Sequence, residues 1–256
     1  MHAVRPRPTL AQWLQEPFAL TMSSGFFSFF AHTGVAAVLE DQGHAPARVS
    51  GSSAGALVTG ALAAGLSAAT LATVLGSLRR EDFWDPSPGL GLLRGARFDA
   101  LLRGMLPVTT FEACRVPVAI SVFDLPTRTT HVVTSGDLVH AIRASCAVPL
   151  LFHPVRAAGR LRWDGGILDR PGLDGMPAGQ RVLYHHIASR SPWRRASGLQ
   201  VPRRPGMVTL RLHGLPRPGP FRLDAGQRAL ELARRWTERA LHTPIPDDGV
   251  VDVGEG

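Results

Sequence analysis

The stretch Gly51-Ser52-Ser53-Ala54-Gly55 constrains this chain more than any other, because it asks for a strand, a sharp turn and a helix in that order. A serine perched on such a turn crowds the residues two before and two after it, so both positions tend to lack side chains. Of the serines here (Ser50, Ser52 and Ser53), only Ser53 has glycine at both places, Gly51 and Gly55. The flanks agree. Val49 in "ARVSG" suits the end of a short buried strand, and "ALVTGALAAGLSAATLATVL" is long, apolar and alanine-rich, as a buried helix is. Small residues also gather wherever a helix packs closely on a strand, so the motif alone does not make Ser53 a nucleophile.

A chain of 256 residues is long enough for one large domain with a fully buried sheet. Neither a repeat nor a linker divides it, so a single domain over 1–256 is expected. All 28 basic residues are arginine, which with abundant Ala, Gly and Pro reflects a GC-rich genome. The net charge of +8 suits nucleic acid or an anionic membrane surface. No zinc-ligand spacing or nucleic-acid module accompanies it, and the arginines cluster only around Arg190–Arg204 and Arg234–Arg239. A nucleic-acid partner is therefore not expected, whereas peripheral contact with an anionic membrane stays open. Within the first cluster, Trp193 among Arg190, Arg194, Arg195, Arg203 and Arg204 would sit at headgroup level. Cys114 and Cys146 lie far apart without a partner motif, as small core residues of a reduced, cytoplasmic compartment would. Residues 17–39 lack Asp, Glu, Lys and Arg, but Gly25, His32 and Gly34 argue for strand, turn and helix rather than a span or leader.

The remaining pattern alternates strands and helices. Strands are expected at 18–23, 47–50, 116–124, 129–134 and over "MVTLRLHG"; helices over "AHTGVAAVLEDQG", from Ala54, from an N-cap at Ser67, and over "GDLVHAIRASCA" capped at Gly136 or Asp137. A C-terminal helix follows, with Asp224 and Gln227 as its capping pair. Residues 85–95, "DPSPGLGLLRG", read as a loop whose leucines either tuck into the core or form an apolar flap. The class is α/β with a mostly buried sheet.

A serine hydroxyl at neutral pH needs a base, and the tetrahedral intermediate needs hydrogen-bond donors. His185, His186, His213 and His242 are nominal bases, but none stands in a setting that singles it out; the 184–186 run resembles a strand end, where alternate residues face opposite ways. Asp164 is more distinctive, because Gly165 and Gly166 follow it and let the backbone turn tightly. For Asp164 alone an ordinary turn is the simpler reading.

Together, "GSSAG", the "ASCAVPLLFHPV" segment (144–155) and "WDGG" resemble the patatin-like phospholipases over residues 18–172. That family carries G-x-S-x-G on a strand–elbow–helix and has an aspartate in D-G-[GA] as the partner of the serine. Its S-x-A-x-P-x-x-F-x-P block is matched here by Ser145, Ala147, Pro149, Phe152 and Pro154. The resemblance implies a three-layer α/β/α domain with a mostly parallel sheet. It further implies a catalytic dyad of Ser53 and Asp164, no cofactor or metal, and a lipid acyl ester as substrate. An aspartate of ordinary pKa, about 3.9, is a weak base, so the dyad requires burial and close contact.

One segment departs from the family. Where it has G-G-G-x-[KR]-G, this chain has "SSGFFSFFAHTG": only Gly25 matches securely, and Ser28 stands near the usual basic residue. Backbone N–H groups of Gly25 and Phe26, with Ala54 after the nucleophile, are the expected oxyanion donors. Phe27, Phe29 and Phe152 are the expected walls of an acyl pocket. A Ser-His-Asp esterase, an acyltransferase of the same fold, and a non-catalytic lipid-binding relative are the alternatives.

Overall fold

The computed structural model describes residues 7–157, 159–188 and 201–255. A short helix α1 (Leu10–Trp13) leads to β1 (Ala19–Met22), α2 (Phe29–Asp41), β2 (Arg48–Ser52), α3 (Ala54–Ala63) and α4 (Ala68–Ser77). Next come β3 (Gly91–Leu93), α5 (Ala96–Met105), the hairpin of β4 (Val118–Asp124) and β5 (Thr129–Val133), and α6 (Leu138–Ser145). The short strands β6 (Leu150–Phe152), β7 (Val155–Ala157) and β8 (Arg160–Asp164) precede β9 (Val182–His186), β10 (Met207–His213), α7 (Asp224–Leu241) and β11 (Val250–Gly254).

The main sheet has the order β11-β10-β9-β1-β2-β4-β8-β7, with β5 also on β4. Every pairing from β11 to β4 is parallel, and β5, β8 and β7 add antiparallel. Parallel strands are buried on both faces, which is why β1 is buried at each of its positions. Leu20, Met22, Val49 and Ile120 belong to the main core beneath the helices, whereas Ala19, Val182 and Tyr184 pack on the opposite side with Leu173 and Met176. The domain is the expected three-layer α/β/α arrangement. Its second outer layer is thin, built from the 3₁₀ turn Gly165–Ile167 and the segment after it.

Strand β4 works as a ruler. Residues 120–124 pair with β5 along one edge, so β2 and β8 must share the other, end to end. Ser52 lies opposite Ser121, and Asp164 lies opposite the next residue, Val122. Two distant parts of the chain are thereby delivered to the same end of the sheet, beside the turn that follows β2.

Two expectations are corrected. The 85–95 segment contains strand β3, parallel to β6 with Gly91 opposite Leu150 and Leu93 opposite Phe152. Gly91 permits this approach, because a Cβ there would lie 2.3 Å from the Phe152 backbone. Its leucines divide: Leu93 is buried, Leu90 and Leu92 are exposed. The helix α7 has no capping pair; Asp224 is already helical and meets Arg228 one turn on at 3.0 Å. Ser67 and Asp137 do cap α4 and α6, accepting from the N–H of Thr70 and His140. The basic stretch around Trp193 falls outside the described residues up to 200. Arg204 is spent on the carbonyls of Leu173 and Met176.

Candidate active site

Ser53 sits between β2 and α3 with φ 53° and ψ −120°, a backbone conformation that costs a residue with a side chain about 1–3 kcal/mol. Its surroundings hold it there. The Ser53 N–H donates to Ser145 Oγ at 2.8 Å, and Ser145 Oγ donates to the Ser121 carbonyl at 2.7 Å. The flanking glycines are steric requirements: a Cβ on Gly55 would lie 2.0 Å from the Met22 carbonyl oxygen, and one on Gly51 would lie 2.5 Å from the Gly55 backbone.

The Ser53 hydroxyl donates to Asp164 Oδ2 at 2.6 Å, a buried, charge-assisted contact. Asp164 is 4% exposed and ends β8. Its Oδ1 accepts from the Gly166 N–H at 2.8 Å, so the D-G-G turn orients the carboxylate as well as reversing the chain. Gly165 must be small, since a Cβ there would lie 2.0 Å from the Ser121 carbonyl oxygen. The Asp164 N–H donates to the Ala147 carbonyl at 3.0 Å. The 144–154 block therefore braces both residues: Ser145 holds the serine backbone and Ala147 the aspartate backbone.

Cys146 lies in the same place, its thiol donating to the Ser53 carbonyl at 3.2 Å. Burial, and then the proximity of Asp164, push its pKa well above that of an ordinary thiol. It remains a protonated, poorly nucleophilic neighbour.

His32, His185, His186 and His213 each have a partner other than Ser53. His32 Nε2 meets the Ser23 carbonyl and His32 Nδ1 meets His185 Nδ1, both at 2.8 Å. The carbonyl can only accept, so His32 carries its proton on Nε2 and His185 donates from Nδ1. Burial lowers the pKa of His32 to about 4, against the opposing pull of the Ser23 carbonyl. Burial, then His32 and His186, hold that of His185 well below the ordinary imidazole value. His186 pairs with the Tyr184 hydroxyl at 2.8 Å. His213 lines the cleft at Ser53, but its Nε2 meets Asp252 at 2.9 Å.

The phenylalanine-rich loop is ordered by its neighbours' hydrogen bonds. The Gly25 carbonyl accepts from both the N–H and the hydroxyl of Ser28, at 3.1 and 2.9 Å. In a trans peptide the C=O and N–H point opposite ways, so the Phe26 N–H faces away from Ser28. Among the described residues no acceptor takes the N–H of Gly25, Phe26 or Ala54. The left-handed position is occupied by Phe27, at φ 55°, rather than by Gly25. Its ring is gripped by Phe26, Phe29 and Phe83 at centroid distances of 4.9, 5.3 and 5.7 Å.

Two cavities meet at Ser53. One is a narrow apolar slot of about 90 Å³ walled by Phe27, Phe29, Leu75, Phe98, Leu102 and Phe152. The other is a wide, more polar cleft of about 1040 Å³ reaching Gly25, Phe26, Asp164, Leu150 and Arg217. The three phenylalanines expected to wall an acyl pocket all line the slot. Reading the sequence missed the roles of Ser28 and His32 and the place of Cys146, whose partners are backbone groups or residues far along the chain.

The fold resembles VipD from Legionella pneumophila, with a TM-score of 0.65 at 15% identity over 88% of this chain and 67% of that one. An uncharacterized NTE family protein of Mycobacterium tuberculosis is 34% identical over 160 residues, which is 59% of this chain and 43% of the relative. A second such protein from the same organism is 31% identical over 155 residues, 59% of this chain and 26% of its own length. The chain thus spans less than half the length of these relatives. The profile of the patatin-like phospholipases matches residues 20–176, a stretch that runs from β1 through the elbow and the D-G-G turn. The chain belongs to the patatin-like phospholipase family.

Proposed function

We propose that this protein is a serine acyl hydrolase that cleaves lipid acyl esters, with Ser53 as nucleophile and Asp164 as its base. The observation that carries this reading is the 2.6 Å contact from the Ser53 hydroxyl to Asp164 Oδ2, placed where an apolar slot meets a polar cleft. Asp164 takes the hydroxyl proton as Ser53 Oγ attacks the ester carbonyl carbon. The oxyanion forms against the N–H groups of Gly25 or Phe26 and Ala54, none of which is taken by an acceptor among the described residues. The intermediate collapses, the C–O bond to the alcohol breaks, and the alcohol leaves with the proton held by Asp164. Water, deprotonated by the same carboxylate, then releases the acid and restores Ser53.

The two cavities support a separate place for each half of the substrate. The slot is apolar and narrow, as an acyl chain requires, and the cleft takes the alcohol side. Membership of the family supports lipid substrates. Burial of Ser53 and Asp164 excludes the bulk water that would otherwise weaken their contact.

A fluorophosphonate tests the assignment. It should label the purified protein at Ser53, and Asp164→Asn should abolish labelling while leaving the circular dichroism unchanged. Labelling at another serine, or full labelling of Asp164→Asn, would overturn the dyad. Product analysis with an added alcohol acceptor separates hydrolysis from acyl transfer.

A further inference from the structure

Single exposed apolar side chains are normal on any protein, but here they form one connected ring. Phe26, Leu150 and Ile167 line the wide cleft at Ser53, and exposed Leu168 is next in the chain. The Phe26 ring lies 3.9 Å from where a Cβ on Gly219 would be, two residues before exposed Phe221. Phe221 packs edge-on against Trp84 at 5.6 Å. Trp84 opens the segment that carries exposed Leu90 and Leu92, and the pairing of Gly91 with Leu150 closes the ring at the cleft. Every large hydrophobic side chain that is exposed among the described residues belongs to it.

Leu150 sharpens the point. It is 73% exposed and adopts φ 69°, the left-handed region that disfavours side chains. An unfavourable backbone that leaves a leucine in water contributes nothing to the core. Arginines flank the ring. The Arg80 guanidinium lies over Trp84 and Phe221 at 5.9 and 5.4 Å, Arg94 is exposed beside Leu93, and Arg217 lines the cleft. The whole chain carries a charge of +8.

We infer that this ring is the face on which the protein docks onto an anionic lipid surface, with the leucines of the β3–β6 pair, Ile167 and Leu168 entering the acyl region and the arginines meeting the headgroups. The mouth of the site then opens directly into the lipid, and an acyl chain reaches the slot without crossing water. This inference rests on the lipid acyl hydrolase reading, and its test reads binding apart from turnover.

The test uses the Ser53→Ala protein with vesicles of pure phosphatidylcholine or with added phosphatidylglycerol, measured by cosedimentation. Binding should rise with phosphatidylglycerol and weaken with salt. Leu90→Glu/Leu92→Glu and, separately, Leu168→Glu should each weaken it about tenfold or more, roughly the worth of one leucine side chain withdrawn from an apolar phase. None of these leucines lines either cavity, so the same changes in the active protein should leave hydrolysis of a soluble short-chain ester within about twofold. Unchanged vesicle binding by the variants, or no binding by the parent, overturns the inference. So does a dimer in solution that the leucine changes dissociate, because the ring would then face a second copy. Failure of ester hydrolysis with intact, leucine-dependent vesicle binding would instead remove the hydrolase reading and leave the docking face.

Discussion

The elbow and the phenylalanine-rich loop border the same cleft at Ser53 and are held in shape by opposite means. In the elbow, missing side chains do the work: Gly51 and Gly55 let two backbones approach to distances that a Cβ would forbid. In the loop, added side chains do it. Ser28 grips the Gly25 carbonyl, His32 grips the Ser23 carbonyl, and aromatic packing keeps Phe27 at a positive φ. Steric necessity leaves a pattern in the residues that are permitted, so the elbow is recognisable in any chain that has it. Hydrogen-bonded restraint can be supplied by different residues, so a loop can leave its family's pattern and keep its backbone.

The largest effects should come from the elbow side. Ser53→Ala and Asp164→Asn should each lower turnover of a short-chain ester by about 10³-fold or more, with the fold intact by circular dichroism. His213→Ala and His242→Ala should leave it nearly unchanged. Loss of turnover in either histidine variant, with Asp164→Asn active, would replace the dyad by a triad.

Gly25→Val tests whether the loop really shares the chemistry. A Cβ on Gly25 would lie 2.4 Å from Ser28 Oγ, so the clamp on the Gly25 carbonyl must open. Turnover per folded molecule should fall about 10²–10³-fold, the usual cost of one oxyanion donor. Undiminished turnover would place the oxyanion hole elsewhere and end the comparison.

Acid should strike the loop's support before the elbow. The folded protein keeps His32 neutral down to about pH 4, whereas an unfolded chain protonates it near 6.5. Between those values the unfolded state binds more protons, so stability falls as pH drops through this window, by on the order of 3 kcal/mol from His32 alone. His185, whose pKa burial also lowers, adds in the same direction. Urea unfolding midpoints from pH 7 to 4 measure this. A flat profile would mean that the imidazole pair is not what anchors the Ser23 carbonyl.

Phe29→Ala should alter selectivity more than rate. It widens the slot without removing a backbone donor, so the preferred acyl chain should shift longer, with about tenfold changes in relative kcat/KM. Phe26→Ala should do less, because Phe26 is 51% exposed at the mouth. Ester series of increasing chain length resolve the two. Smallest of all, Ser28→Ala removes one of two donors to the Gly25 carbonyl and should lower kcat about fivefold with KM unchanged. A rise in KM with kcat unchanged would assign Ser28 to substrate binding instead.

Much of this was legible in residues alone, and the exceptions share a cause. The strand–elbow–helix, the β4–β5 hairpin and the caps at Ser67 and Asp137 are local, so neighbours in the chain specify them. The 85–95 segment looked like a loop because a three-residue strand has too little pattern to see, and its partner β6 lies nearly sixty residues on. The capping pair at Asp224 failed because a carboxylate at a helix start can equally pair with an arginine one turn later, and here it does.

The sequence by itself determined the turn that carries Ser53, the alternation of strands and helices, and the chemical kind of the residues at 53 and 164. These follow from side-chain size and hydrophobic period, which act over a few residues. Tertiary structure alone decided that Asp164 lies 2.6 Å from Ser53, because that distance depends on β2 and β8 sharing one edge of β4. It also decided that the Ser28 hydroxyl meets the Gly25 carbonyl, so that the Phe26 N–H points the opposite way, and that exposed Phe26, Leu150 and Ile167 line one cleft. Contacts across such separations are set by how the layers pack, and no stretch of the chain carries that information on its own.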